Sequence, residues 1–137
     1  MSAVSGPPAQ FRDPTPLERS LLARLLQADF PGKEELRFLL RDALVRTIDE
    51  DGGLEIKAVA EGTALVIKKI PVEAEAKDDD GTVVHALLHV HDGRPSELEL
   101  YREDGAQIAR IPPASAFELI VLPPAPDDGW AGQVGPR

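Results

Sequence analysis

The stretch LVIKKIPVEAEAKDDDGTVVHALLHVHDGRPSELELYREDG, residues 65–105, is the most informative part of the sequence about the fold, because apolar and polar residues alternate along most of its length. A period of two is typical of β-strands, in which successive side chains point to opposite faces of the sheet. Two turn segments, Asp78–Gly81 and Asp92–Ser96, divide the stretch into three strands. It therefore predicts an antiparallel meander with one dry face and one wet face.

The dry face is predicted from the even-numbered positions of the last two strands. These positions are Val84, Ala86, Leu88 and Val90, followed by Leu98 and Leu100. The first strand is expected to run from residue 66 to residue 76, with its even positions also turned inward. Burial of these side chains against another layer of structure would form the core.

The wet face receives all three histidines of the chain, His85, His89 and His91. Keeping apolar residues opposite each other pairs His91 with Glu97, His89 with Glu99, and His85 with Glu75. A slip of two residues would preserve both faces and change these partners. The polar face is therefore better determined by the sequence than any single pair.

Helices are predicted before the meander. Thr15-Pro16-Leu17-Glu18 is a capping box with proline in the first turn, so a helix should cover residues 16–28. Pro31-Gly32 breaks the chain, and a second helix is expected at 33–42. Leucines at helical spacing give each helix an apolar side that can pack on a sheet.

Further strands are predicted at residues 44–48, 54–59, 107–111 and 117–122. The expected fold class is α+β, with an N-terminal helical hairpin packed on one face of a mainly antiparallel sheet of about six or seven strands. We expect one domain at residues 12–122. Residues 1–11 and the Pro/Gly-rich residues 123–137 are expected to be disordered tails, and Trp130 in the second tail is either a partner anchor or an unpacked side chain.

The composition narrows the possible functions. Fifteen basic and twenty-four acidic residues give a formal charge of −9, which disfavours nucleic acid and anionic membranes as partners and favours a basic protein. The absence of cysteine excludes disulfides, thiol catalysis and cysteine-bound zinc. With no leader-like N-terminus and no long apolar run, a soluble cytoplasmic protein is expected.

Motifs for catalysis are missing from the sequence. No serine lies in a glycine-flanked elbow, and the glycines form neither a phosphate-binding loop nor a dinucleotide fingerprint. We therefore expect no enzymatic activity and no cofactor.

A metal site is the alternative that the wet face offers. His89 and His91 are two residues apart on one strand, and Glu97 or Glu99 could complete a facial set of ligands. The same residues also fit a solvated sheet face, on which glutamates and histidines pair across strands.

The acidic turns Asp49–Gly53 and Asp78–Gly81 have two interpretations. Their carboxylates could bind calcium, but the twelve-residue EF-hand spacing is absent, which favours hairpin turns. In either case their charges could contact a basic partner. The predicted partner-binding residues are Asp49, Asp51, Asp78, Asp79, Glu97, Glu99 and Tyr101.

The runs Pro71–Glu75, Asp80–Val90 and Glu97–Gly105, with a Leu-Glu-hydrophobic-Tyr-Arg-x-Asp-Gly signature, resemble a bacterial domain family of unknown function. The resemblance covers about residues 12–122 and implies the same α+β architecture without an activity. In size and charge the chain is also similar to immunity proteins of bacterial toxin systems. The functional expectation is a non-enzymatic module that docks a basic partner, with a metal-dependent site on the sheet face as the alternative.

Overall fold

Two helices precede the sheet in the computed structural model, which describes residues 10–121. Helix α1 spans Pro16–Leu25 and helix α2 spans Lys33–Arg41. The predicted capping box is present, with the Thr15 hydroxyl accepting from the Glu18 amide at 3.2 Å and the Glu18 carboxylate accepting from the Thr15 amide at 2.8 Å. Neither helix has the length and apolar character needed to cross a bilayer.

Helix α1 ends three residues before its predicted end. The amides of Gln27 and Ala28 bond to carbonyls three residues back, which tightens the chain out of α-helical geometry. Arg24 in the last turn of α1 contacts the C-terminal part of the domain. Its Nε and Nη2 donate to the Phe117 carbonyl at 3.1 and 2.9 Å.

The sheet has six strands in the order β1-β2-β5-β4-β3-β6, and all neighbours are antiparallel. The strands are β1 Leu44–Thr47, β2 Leu54–Lys57, β3 Val72–Lys77, β4 Val83–His91, β5 Arg94–Arg102 and β6 Glu118–Ile120. This architecture confirms the predicted α+β class, with the helices N-terminal to an open antiparallel sheet.

One face of the sheet forms the core with the two helices. The even-numbered side chains of β4 and β5 are all buried where the sequence predicts it, and Leu88 lies between Val72 of β3 and Leu98 of β5 with no exposed surface. Helix α1 contacts β3, and α2 contacts β5. The leucines Leu21, Leu22, Leu25, Leu36 and Leu40 of the helices belong to the same apolar cluster as the strand residues.

The first strand of the meander is shorter than predicted, because residues 66–71 do not join the sheet. Leu65 and Ile67 are 87% and 65% exposed. Arg94 explains this departure. Its guanidinium donates to the carbonyls of Ala58, Ala60 and Gly62, so the chain after β2 folds over the β4–β5 turn before it enters β3.

The predicted strand at residues 107–111 is wrong. Its amides bond to side chains instead of a neighbouring strand: Ile108 donates to the Asp51 carboxylate, and Ala109 and Arg110 donate to the Asp78 carboxylate. Carboxylates of two acidic turns therefore replace the strand ladder, and the segment crosses the end of the sheet as an irregular chain.

The β4–β5 hairpin is tighter than predicted. Asp92 and Gly93, with φ of 51° and 76°, form a two-residue turn, so β5 begins at Arg94. An irregularity after His89 then leaves Ser96 without a direct partner. The register places His89 opposite Glu97 and His91 opposite Arg94.

The predicted pairs therefore have mixed outcomes. His91 with Glu97 and His89 with Glu99 are wrong as directly opposed pairs. The two-residue turn shifts β5 by three residues, so His91 is opposite Arg94, and the extra residue Ser96 reduces the shift to two from His89 onward, which leaves the faces unchanged there. The pairing of His85 with Glu75 across β3 and β4 is confirmed.

The two tails predicted from composition, residues 1–11 and 123–137, lie almost entirely outside the described residues. Residues 1–9 and 122–137, which include Trp130, are not described. Phe11, which was assigned to the N-terminal tail, lies with its ring 4.6 Å from the Arg46 guanidinium carbon. Arg12 next to it forms a bridge to Val45 of β1.

The face assignment predicts opposite effects for aspartate on the two sides of β4. Leu88→Asp should unfold the domain, because burying an unpaired carboxylate costs on the order of 5 kcal/mol, comparable to the whole stability of a small domain. His91→Asp also introduces an aspartate into β4, but at a side chain that is exposed to solvent, so it should leave the melting temperature nearly unchanged. Circular dichroism during heating measures both, and equal melting of the two variants would contradict the assignment.

Candidate functional site

The face of the sheet opposite the helices is lined mainly by carboxylates and histidines. We call this surface the acidic face. Its outward side chains include Glu55, Glu73, Glu75, His85, Leu87, His89, Glu97, Glu99, Tyr101 and Glu118, with Glu103 just after β5. Basic side chains lie at its margins: Arg46 of β1 is opposite Glu55 and pairs with it at 2.7 Å, and Lys57 and Lys77 end β2 and β3 on the same side. The register aligns these residues in rows that cross the strands.

One row places Glu55 opposite Glu97, and Glu97 opposite His89. The His89 Nε2 lies 2.8 Å from an oxygen of Glu99, one position farther along the same face of β5. A ligand atom from each of His89, Glu97 and Glu99 lies within 4.8 Å of the other two. Three of the four residues predicted to form a metal site therefore meet.

His91 does not join them. Its side chain is 76% exposed, and its Nε2 lies 3.3 Å from the Asp92 carboxylate in the turn. The irregularity after His89 and the tight turn change the direction of the side chains at the end of β4. The alternation of faces predicted from the sequence therefore does not hold at His91.

A second group of carboxylates surrounds His85, and the sequence predicted only one of its members, Glu75. The His85 Nε2 lies 3.0 Å from a Glu103 oxygen, and its Nδ1 lies 3.7 Å from both Glu73 and Glu75. The Tyr101 ring stacks on the imidazole with centroids 4.7 Å apart and an interplanar angle of 16°. The ring covers His85, which is only 8% exposed although it belongs to the wet face.

Alternation placed Glu75 and His85 together, and it also puts Glu73 on the same side of β3 two residues away. The alternation pattern does not predict the burial of His85, because this burial depends on how the ring of Tyr101, on the neighbouring strand β5, is oriented. Partial burial, together with the charges of Glu73, Glu99, Glu103 and Glu75, raises the pKa of Tyr101. The acidic face therefore has a negative potential that acts on its own aromatic side chain.

The acidic turn at Asp78 has a structural role instead of the predicted contact role. The Asp78 side chain is fully buried, and its carboxylate accepts from Arg102 Nη1 at 3.0 Å and from the amides of Ala109 at 2.8 Å and Arg110 at 3.1 Å. The Ala109 amide, with the other donors around the carboxylate, lowers the pKa of Asp78 to about 2. A buried carboxylate cannot contact a partner, so Asp78 leaves the predicted contact set.

Two of the other turn residues predicted to contact a partner, Asp49 and Asp51, also accept hydrogen bonds within the domain. Asp49 accepts from the amides of Asp51 and Gly53, which closes the β1–β2 turn, and Asp51 accepts from Ile108 at 2.8 Å. Asp79 remains at the surface with a 58% exposed side chain, 3.6 Å from Arg110. Carboxylates of both turns, Asp51 and Asp78, therefore fix the position of the chain after β5 by accepting from its amides.

Arg102 is the residue of this network whose role the sequence did not indicate. Its side chain is 10% exposed and pairs with Asp78, Asp80 and Asp104 at 3.0, 2.9 and 2.7 Å. These pairs lower the pKa of Asp104 to about 2, with Arg102 as the largest cause. The only signal in the sequence was the position of Arg102 next to Tyr101 in a strand followed by an acidic turn.

The fold and this surface define a small α+β domain with an acidic sheet face. The chain belongs to the family described as Domain of unknown function (DUF6984), whose model matches residues 11–112. This match confirms the predicted resemblance to an uncharacterised domain family, and it spans both helices and strands β1 to β5. Comparisons with curated proteins and with solved structures gave no match.

The buried Asp78 predicts a pH dependence of stability. Its folded pKa of about 2 is below the unfolded value of about 3.9, so the ionised carboxylate stabilises the fold fully above the unfolded value and loses this effect as the pH falls through about 2. Asp78→Asn should lower the melting temperature at neutral pH and flatten the loss of stability between about pH 4 and 2.

The matched control is Asp79→Asn, which removes the same charge from an exposed side chain of the same turn. Melting curves across the acid range measure both variants. If they showed equal slopes and equal melting temperatures, the buried network would not stabilise the fold.

Proposed function

We propose that this chain is a non-enzymatic protein-binding module that docks a basic partner on its acidic face. The observation that carries the proposal is the concentration of carboxylates on one sheet face whose opposite side is already covered by helices. They are Glu73, Glu75, Glu97, Glu99, Glu103 and Glu118, beside Glu55, whose charge is already paired with Arg46 at 2.7 Å. Antiparallel sheets often pack on one face only, and the other face is then available for contacts.

The charge of the whole chain supports the same partner chemistry. A formal charge of −9 attracts a basic protein over distance and disfavours nucleic acid and anionic membranes. Tyr101, 37% exposed beside Glu99, adds a residue type that is enriched in binding hot spots. Glu97, Glu99 and Tyr101 would form the centre of the contact, with Asp49, Asp51 and Asp79 at the turns around it.

The finer proposal is an immunity-like role in the bacterial cytoplasm. It rests on size and charge, since immunity proteins neutralise basic toxins by complementary charge. Flat surfaces of this kind suit docking better than catalysis, because a catalytic site needs a concave pocket with converging polar groups.

Charge reversal on the acidic face should remove the interaction. A Glu97→Lys and Glu99→Lys double variant, immobilised and exposed to cell lysate, should no longer retain the basic protein that the unmodified chain retains. With the purified partner, the association rate should fall by at least about tenfold and depend less on salt.

The matched control is Glu34→Lys with Glu35→Lys, which makes the same change in net charge on exposed positions of α2. This variant should retain the partner, and both variants should melt close to the parent protein. Equal retention by both double variants, or retention of no basic protein by the unmodified chain, would contradict the proposal.

A metal-dependent site at His89 is the second candidate. The specific observation in its favour is that ligand atoms of His89, Glu97 and Glu99 lie within 4.8 Å of one another. The group is half exposed, and the His89 Nε2 is already engaged with Glu99, which would have to be released or shared by a metal ion.

Metal analysis of protein purified without a histidine tag tests the second candidate. It predicts a stoichiometric transition metal that His89→Ala removes and His91→Ala retains, because His91 lies apart from the group. Retention of the metal in His89→Ala would exclude this site.

A further inference from the structure

The His85 Nδ1 is a buried nitrogen that has no hydrogen-bond partner among residues 10–121. The other ring nitrogen, Nε2, lies 3.0 Å from a Glu103 carboxylate oxygen, and a carboxylate accepts, so Nε2 carries the proton. In the neutral ring Nδ1 then presents its lone pair toward Glu73 and Glu75, whose carboxylates also only accept. Three acceptors converge here, and a positive charge between them would stabilise the arrangement.

The spacing of these atoms suits a metal ion better than a proton. Nδ1 lies 3.7 Å from an oxygen of Glu73 and 3.7 Å from an oxygen of Glu75, which is longer than a hydrogen bond of about 3.0 Å. Two ligand atoms bound to zinc at about 2.1 Å in tetrahedral geometry lie about 3.4 Å apart. A ligand atom from each of the three residues lies within 4.8 Å of the other two.

The imidazole is also held as a metal ligand requires. Histidines that bind metal through one nitrogen commonly donate the other N–H to a carboxylate, which sets the tautomer and the ring orientation. Glu103 fills this role for His85, and the Tyr101 ring, stacked at 4.7 Å, restrains the imidazole plane. The His85 side chain is 10% exposed, whereas Glu73 and Glu75 are 23% and 41% exposed, so the group opens to solvent on the β3 side.

We propose that His85 Nδ1, Glu73 and Glu75 bind one divalent transition-metal ion of the zinc class. One imidazole nitrogen and two carboxylates suit such an ion better than magnesium or calcium, which prefer ligand sets of oxygen alone. The two carboxylates match its double charge, and three protein ligands leave a position for solvent or a partner's side chain. This site is distinct from the His89 group and does not depend on partner docking.

The test is calorimetric titration of the full, tag-free chain with zinc chloride. The unmodified chain should bind an equivalent of zinc that His85→Ala removes and that excess magnesium does not displace. Glu75→Gln, a milder change at a half-exposed position, should also weaken binding by more than about a hundredfold, and Glu103→Gln, which affects ring orientation only, by about 10 to 100-fold. The matched controls His89→Ala and Glu99→Gln make the same replacements in the neighbouring group and should retain this equivalent.

Nitrogen-15 NMR of the histidine rings supplies an independent readout. On addition of zinc the Nδ1 resonance of His85 should shift while Nε2 keeps its proton. The proposal is overturned if no equivalent of zinc binds, if the bound zinc survives both His85→Ala and Glu75→Gln, or if only the His89 ring responds. In the last case the zinc belongs to the group around Glu97 and Glu99.

Discussion

The two helices bury the apolar even-numbered side chains of β4 and β5, which are Val84, Ala86, Leu88, Val90, Leu98 and Leu100, and both faces of the sheet follow from this burial. Because side chains alternate along a strand, enclosing Leu88, Leu98 and their neighbours commits the intervening residues to the opposite face. That face collects glutamates and histidines from adjacent strands at spacings set by the ladder. The same constraint therefore forms the core and assembles the candidate site, and a change that reversed the register parity would destroy both.

The acidic residues of the chain divide into two physical roles. Two carboxylates of the turns act inward: Asp78 is buried with Arg102, and together with Asp51 it accepts from the amides of residues 108–110. These two carboxylates take the place of a strand ladder. Those of the strands stay outward, and within residues 10–121 only Glu55 among them is paired with an arginine, Arg46. Partial burial, together with the charges of Glu73, Glu99, Glu103 and Glu75, raises the pKa of Tyr101. Net charge alone would suggest one uniform acidic surface, whereas the carboxylates that can act on a partner are mainly those of β3 and β5, with the exposed Asp79 beside them.

The outward residues form two histidine groups that differ in burial and hydrogen bonding. His89 is partly exposed and its Nε2 is satisfied by Glu99, whereas His85 is buried and its Nδ1 faces two carboxylates without a donor. An unsatisfied buried acceptor is costly, which is why the His85 group is the better candidate for a cation. A bound ion there would neutralise part of the acidic face and leave Glu97 and Glu99 for docking, so the two proposals are compatible.

The α+β class, the capping box at Thr15, the two faces of β4 and β5 and the pairing of His85 with Glu75 could all be predicted from the sequence, because they follow from local periodicity and short-range turn chemistry. The sequence also placed His89, Glu97 and Glu99 on one surface. Three features are known only from the three-dimensional structure: the two-residue turn at Asp92-Gly93 that displaces His91, the burial of Asp78, and the stacking of Tyr101 over His85. The reason is physical: alternation sets which face a side chain occupies. Its partner and burial depend on the length of a turn, on competition among carboxylates for distant amides, and on a ring contributed by the next strand.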